Sequence, residues 1–217
     1  MTGIKNSRLY SEVSIAPLIS FRILFGLLML FSTLRFMFMG WVEQFYIAPA
    51  FHFTYWGFSW VQPLHGDWMY APFVIMAACA ILITIGLAYR PAIILFFIAF
   101  TYVELLDQTY YLNHYYFVSL LSFLLIWLPL NRAWALDSLL RTKTYCTHVP
   151  RWSIISIQLL LAIVYFYAGI AKLQPDWLVH ALPLKLWLPA RAHYPIIGAL
   201  LDKEWFAYGM SWAGALY

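Results

Sequence analysis

Charge is what this sequence has least of. Only 10% of its 217 residues are Asp, Glu, Lys or Arg, against 64% apolar and 20% aromatic, far from the averages of soluble domains. The net charge of +4 is small and sits mostly between apolar runs, which reads as membrane topology and not as a nucleic-acid surface. There are two cysteines, Cys79 within an apolar run and Cys146 in a basic loop, so no disulfide framework is expected. Histidines at HxxxH spacing, GxSxG, CxxC and a glycine-rich phosphate loop are all missing. A metal site and the common hydrolase and nucleotide sites are thereby set aside. Internal repeats and low-complexity stretches are missing too.

What the chain has instead is long hydrocarbon. A bilayer crossing takes about 20 residues of helix. Five spans are expected, at about 17–39, 69–88, 91–106, 115–130 and 152–173, in an all-α integral membrane protein with one helical domain over 1–217. A last segment, 205–217, starts like a span but stops too early to cross. Either that tail lies on the membrane or the chain is the front of a longer protein. Pro183, Pro189 and Pro195 break the pattern across 176–203, where an interfacial or re-entrant segment is expected. Residues 1–14 are polar and lead into a full-length span, so no cleavable signal peptide is expected.

The loops alternate in charge. Lys5 and Arg8 precede the first span, Arg90 lies between the second and third, and Arg132, Arg141, Lys143 and Arg151 between the fourth and fifth. The stretches 40–68 and 107–114 hold neither Lys nor Arg. The positive-inside rule then puts the N-terminus in the cytoplasm, and His114 and Lys172 on the same outer side. Lys185, Arg191 and Lys203 weaken the rule there without reversing it.

Two outer groups carry candidate chemistry. Lys172 ends the run "IQLLLAIVYFYAGIAKLQPDWL". It reads either as a lysine snorkelling to the headgroups or as an amine packed among Tyr165, Tyr167 and Trp177. In the second case desolvation would leave a neutral base, opposed by Asp176 if that carboxylate faced it. His114 stands in "LLDQTYYLNHYYF" beside Asn113, with Tyr110, Tyr111, Tyr115 and Tyr116 supplying flat faces. It is either a member of the interfacial aromatic belt or part of a site for a flat ring ligand. Arg22, Arg35 and Glu104 lie in or at the ends of spans, where internal ion pairs are the favoured reading; Arg35 and Glu104, toward the outer side, also leave open a role near the active mouth. Arg22 is near enough to the cytoplasmic end to snorkel. "FHFTYWGFSW" is aromatic and uncharged and is expected to anchor in the outer leaflet.

In order along the chain come "PLHGDWMYAPFVIM", "GLAYR", "YVELLDQTYYLNHYYFVSLL", "NRAWALDSLL", "HVPRWSI" and "VYFYAGIAKLQPDWL". From about Phe21 to Trp177 this resembles the transmembrane region of the vitamin K-dependent gamma-glutamyl carboxylase family and its bacterial relatives. The resemblance implies that Lys172 is the base that deprotonates vitamin K hydroquinone. The oxygenated product then takes the γ-proton of a glutamate, CO2 adds to that carbon, and the quinone leaves as its epoxide. Asn113 and His114 would orient the reacting species, and Tyr110, Tyr111, Tyr167 and Trp177 would wall the site. Vitamin K hydroquinone, O2 and CO2 are the implied cofactors and co-substrates, with no metal. Membrane lipid and a glutamyl peptide or protein are the implied partners, with no nucleic acid. The implied location is a bacterial inner membrane or the endoplasmic reticulum, with the active side periplasmic or lumenal. The family has a second lysine where this chain has Ala171. Animal members also add a large lumenal domain to which nothing here corresponds, so the resemblance speaks first for quinone epoxidation and leaves carboxylation and its substrate open. A helical scaffold and a quinone- or lipid-binding protein without turnover are the rival readings.

Overall fold

The structure, a computed structural model, describes residues 8–140 and 145–216. Lys5, Arg141 and Lys143, used above to orient the chain, lie outside the described residues. The chain is mostly helical and divides into two compact units, Met1–Ile157 and Gln158–Tyr217.

The first unit runs through β1 (Glu12–Ser14), α1 (Ala16–Phe38), α2 (Tyr70–Ile85), α3 (Tyr89–Leu105), α4 (Asn113–Trp127), the short α5 (Leu136–Leu140), β2 (His148–Pro150) and the start of α6 (Trp152–Ala171). β1 and β2 pair antiparallel with Val13 opposite Val149, a small ribbon that the apolar patterning did not foreshadow. Among the described residues, three helices are long and apolar enough to cross a membrane: Ala16–Phe38, Gly66–Ile85 and Trp152–Ala171. The other two expected spans are helices too, but α3 has 17 residues and α4 has 15, short of the roughly 20 that a perpendicular crossing takes.

Local chemistry sets the ends of these helices. Pro17 occupies the first turn of α1, where its missing N–H costs nothing. α2 stops at Gly86, whose φ of +68° is left-handed; Gly86 N–H bonds Ile83 O at 3.2 Å and Leu87 N–H bonds Leu82 O at 3.0 Å, a Schellman-type ending. The first N–H groups of the α3 end are met from elsewhere in the chain. The Asp137 carboxylate accepts from Ala88 N–H at 2.8 Å, Tyr89 N–H at 3.0 Å and the Asn131 amide at 2.9 Å. Asp137 N–H returns a bond to Gly86 O at 3.0 Å. Charge-assisted bonds of this kind contribute about 1.5–3 kcal/mol each. The "NRAWALD" and "GLAYR" segments are thus one structural unit, each closing the other.

Helices α1 to α4 pack in sequence order, α1 on α2, α2 on α3 and α3 on α4. Apolar helices gain little from leaving lipid for one another, so close packing and polar contacts must hold them. Gly26 supplies such a contact: a Cβ there would lie 2.3 Å from Thr84 Oγ1 and 2.9 Å from Ala80 O. Phe25 meets Phe96 edge-on at 5.8 Å, and the buried Tyr89 hydroxyl donates to Leu125 O at 3.0 Å.

Arg22 corrects the sequence reading. It does not snorkel and forms no ion pair among the described residues. It is fully buried and donates to the Trp134 carbonyl, with Nε and Nη1 left without a hydrogen-bond partner there. The tight turn at Gly86 sits directly over it, since a Cβ at Gly86 would come within 1.7 Å of Arg22 Nη1.

The second unit continues α6 and adds α7 (Pro175–Leu178), α8 (Leu182–Trp187), α9 (Gly198–Leu201) and α10 (Glu204–Leu216). The stretch expected to be interfacial or re-entrant is thus a run of short helices with Pro175 and Pro183 in first turns. α7 and α10 are tied by side chain to backbone. Trp177 Nε1 donates to Ser211 O at 2.8 Å, the Ser211 hydroxyl donates back to Trp177 O, and Trp212 Nε1 donates to Leu178 O at 3.1 Å.

Candidate functional site

A cavity of about 420 Å³ opens in the first unit, walled by all four of its long helices. Phe25, Met29 and Phe36 come from α1, Phe73 and Met76 from α2, Phe100 from α3, and Tyr115 and Leu121 from α4. Three groups in this lining carry or can carry charge: Arg35, Glu104 and His114. A second cavity, of about 580 Å³, is lined by Tyr55, Phe58, Phe97, Tyr111, Tyr116 and Phe123 among others, and Glu104 lines it as well.

His114 reaches the cavity because α4 begins one residue earlier, which places it in the first turn. Its ring meets Tyr115 edge-on at 4.5 Å. Asn113 is exposed at the head of the same helix and lines neither cavity. Tyr110 stacks on Phe45 at 4.7 Å and meets Tyr46 edge-on at 6.1 Å, forming the aromatic wall behind the first cavity. Tyr111 turns the other way, against Tyr116 at 6.3 Å in the second.

The ion-pair reading of Arg35 and Glu104 does not hold: among the described residues neither takes part in a salt bridge. Arg35 instead lies over the Trp41 ring at 5.1 Å. The place of Glu104 in the sequence flags it, since a carboxylate inside an apolar helix is expensive and rarely idle, and the alternative of a role near the outer mouth suits its position in the lining.

Asp107 was missed. It is buried at the end of α3 and accepts from Thr109 N–H at 2.9 Å and Thr109 Oγ1 at 2.7 Å, with His52 Nδ1 at 3.2 Å. Burial alone would push its carboxyl up, but these partners hold it below the ordinary value. Gln108 N–H also bonds Phe53 O at 2.8 Å, so the aromatic loop after residue 50 is latched here. Tyr46 and Tyr55 have their hydroxyls pushed up, first by burial and then by the Glu104 carboxylate.

Lys172, Trp177 and Tyr167 belong to the second unit. Lys172 is half-buried and its Nζ donates to Gly214 O at 2.7 Å, near the end of α10. Of the aromatics expected around it, Trp177 is there, with its ring centroid 5.6 Å from Nζ. Tyr167 is 65% exposed with its ring against Phe166, and so does not enclose the amine as expected; Tyr165 is exposed as well.

The HTTM domain family matches residues 10–217, nearly the whole chain. The chain belongs to the HTTM domain family. HTTM domains occur in vitamin K-dependent gamma-carboxylase, a membrane protein, and the three long apolar helices here agree with a membrane location. No solved structure matches this HTTM chain.

Proposed function

We propose that this protein is a membrane enzyme of the vitamin K-dependent carboxylase type and that the cavity lined by His114 takes a reduced naphthoquinone. The single observation that carries the reading is that cavity, aromatic-walled and holding Arg35, Glu104 and His114 among its polar groups. A flat, mostly apolar diol needs such walls with a few donors and acceptors, and about 420 Å³ falls in the roughly 300–1,000 Å³ range of small-molecule sites. Bound there, the reduced ring supplies two phenolic hydrogens and, with O2, the oxidation that yields epoxide and water and drives CO2 onto a glutamyl carbon.

The chain's own groups have narrower tasks. His114 holds a ring oxygen, with Asn113 beside it in the same turn, and the phenyl walls keep water out. Lys172, in the second unit, is the base that the family resemblance proposes, taking up a proton at Nζ. The Lys172 Nζ has more positions than the one engaged by Gly214 O, so that bond orients the amine without using it up. The glutamyl substrate and the active face are placed on the non-cytoplasmic side of the membrane.

The same Lys172–Gly214 bond favours a second reading, in which the lysine only closes the end of α10 and the protein binds quinone without turnover. Purified protein supplied with vitamin K hydroquinone decides between them by chromatographic detection of the epoxide. Oxygen-dependent epoxide is expected, lost with Lys172→Ala and lowered about tenfold with His114→Ala. Binding without epoxide would support the second reading, and no binding would overturn both.

A further inference from the structure

Glu104 is placed unlike any other ionisable group in the first unit. It lies in the wall shared by the two cavities, and its carboxylate has no hydrogen bond or ion pair among the described residues. Its field reaches phenols on both sides, Tyr46 lining the first cavity and Tyr55 lining the second. The other charged partners in the first cavity, Arg35 and His114, can donate to a ring oxygen whether it belongs to a hydroxyl or to a carbonyl. The hydroxyls of that cavity, such as those of Thr33 and Tyr115, can do either job. The Glu104 carboxylate in its ionised form cannot: it only accepts, so the discrimination belongs to pH values at which that form prevails.

We infer that Glu104 makes this site selective for the reduced, hydroxyl-bearing form of its ring ligand over the oxidised dione. A ring diol donates an O–H to the Glu104 carboxylate and accepts from Arg35 or His114 at its other oxygen. The dione brings only acceptors, so a carbonyl turned to the half-buried carboxylate meets it lone pair to lone pair. A buried group left unpaired costs more than a bond made gains, which is why hydrogen-bonding sites reject analogues that lack the donor. The device would keep a membrane site from filling with spent, oxidised quinone. It rests on the ring site proposed above, and deepens it by naming what sets the redox form bound.

The test is equilibrium binding of menadiol and menadione to the purified full chain in detergent, under nitrogen and at about pH 8.5, well above the ordinary carboxylate range, followed by quenching of tryptophan fluorescence. Wild type is expected to bind menadiol about tenfold more tightly than menadione. In Glu104→Gln the amide can both donate and accept, so menadione should bind more tightly and the preference should shrink to about twofold. Glu104→Asp keeps a carboxylate and should keep the preference. Equal binding of the two forms by wild type, or a preference that survives in Glu104→Gln, overturns the inference and leaves the ring site standing. Binding of neither form removes the ring site and the inference with it. Should the glutamine variant lose menadione as well, the aspartate variant decides: preference kept supports the inference, preference lost overturns it.

Discussion

The first unit buries an interior, whereas the second hardly has one. In α1 and in Gly66–Ile85, 39% of the apolar window is buried; in α6, equally apolar, the figure is 0%. The described buried residues of the second unit are Ala181, Gly198, Leu201, Ala207 and Ser211, small apart from one leucine. Its helices are held by side chains reaching backbone carbonyls, as at Trp177, Lys172 and Trp212. The first unit adds jigsaw packing to such bonds, with Gly26 against Thr84 and Gly86 over Arg22. The lesson concerns solvent. A helix that is apolar on every face suits lipid, so polar ties carry much of the second unit's order, while the packed helices of the first wall the two cavities described.

The largest expected break in this contrast is Gly86→Ala. A Cβ would meet Arg22 Nη1 at 1.7 Å and Ala135 Cβ at 2.5 Å at a left-handed φ of +68°, so the first unit should lose about 3 kcal/mol or more in thermal unfolding. The next is Lys172→Arg, which keeps a donor for Gly214 O but removes an amine able to take a proton. If the second unit supplies the base, epoxide formation should fall at least about a hundredfold while the melting temperature stays put. Unchanged turnover would reduce that lysine to a tie.

Acid should strain the first unit more gently. The folded Asp107 carboxyl titrates below its unfolded value, so its contribution is present above about pH 4 and fades as pH falls through the folded value. Asp107→Asn should remove roughly 1 kcal/mol of stability near pH 7 and flatten that acid limb, read from melting temperature against pH. The smallest effect belongs to Gly209→Ala in α10, where a Cβ would meet nothing within 4 Å. There the second unit should gain about 0.5–1 kcal/mol, the reverse of the outcome at Gly86.

Much of the helical layout was legible beforehand. α1 and α6 begin within one residue of the expected spans, and α2 to α4 within two, because long apolar runs and Pro17 mark helices whatever surrounds them, while the stop at Gly86 falls short of the expected residue 88. The "YLNHYY" stretch pointed to His114, which does line a cavity. Arg22 was misjudged, and at Arg35 and Glu104 the favoured ion pairs gave way to the alternative of a place near the mouth, both lining the cavity; the latch of Asp107 to His52, 55 residues apart, went unseen.

By itself the sequence determined the class of molecule: so little charge, spread among runs of hydrocarbon, leaves the membrane as the only solvent that suits it. It also determined where helices start and stop, since proline, glycine and the lengths of apolar runs act within a few residues. Only the tertiary structure decided which way each rare charge faces. Helices that are apolar all round carry no stripe to mark an inner side, so the neighbours choose, sending Arg22 to a carbonyl in a packed core and Glu104 to the wall between two cavities.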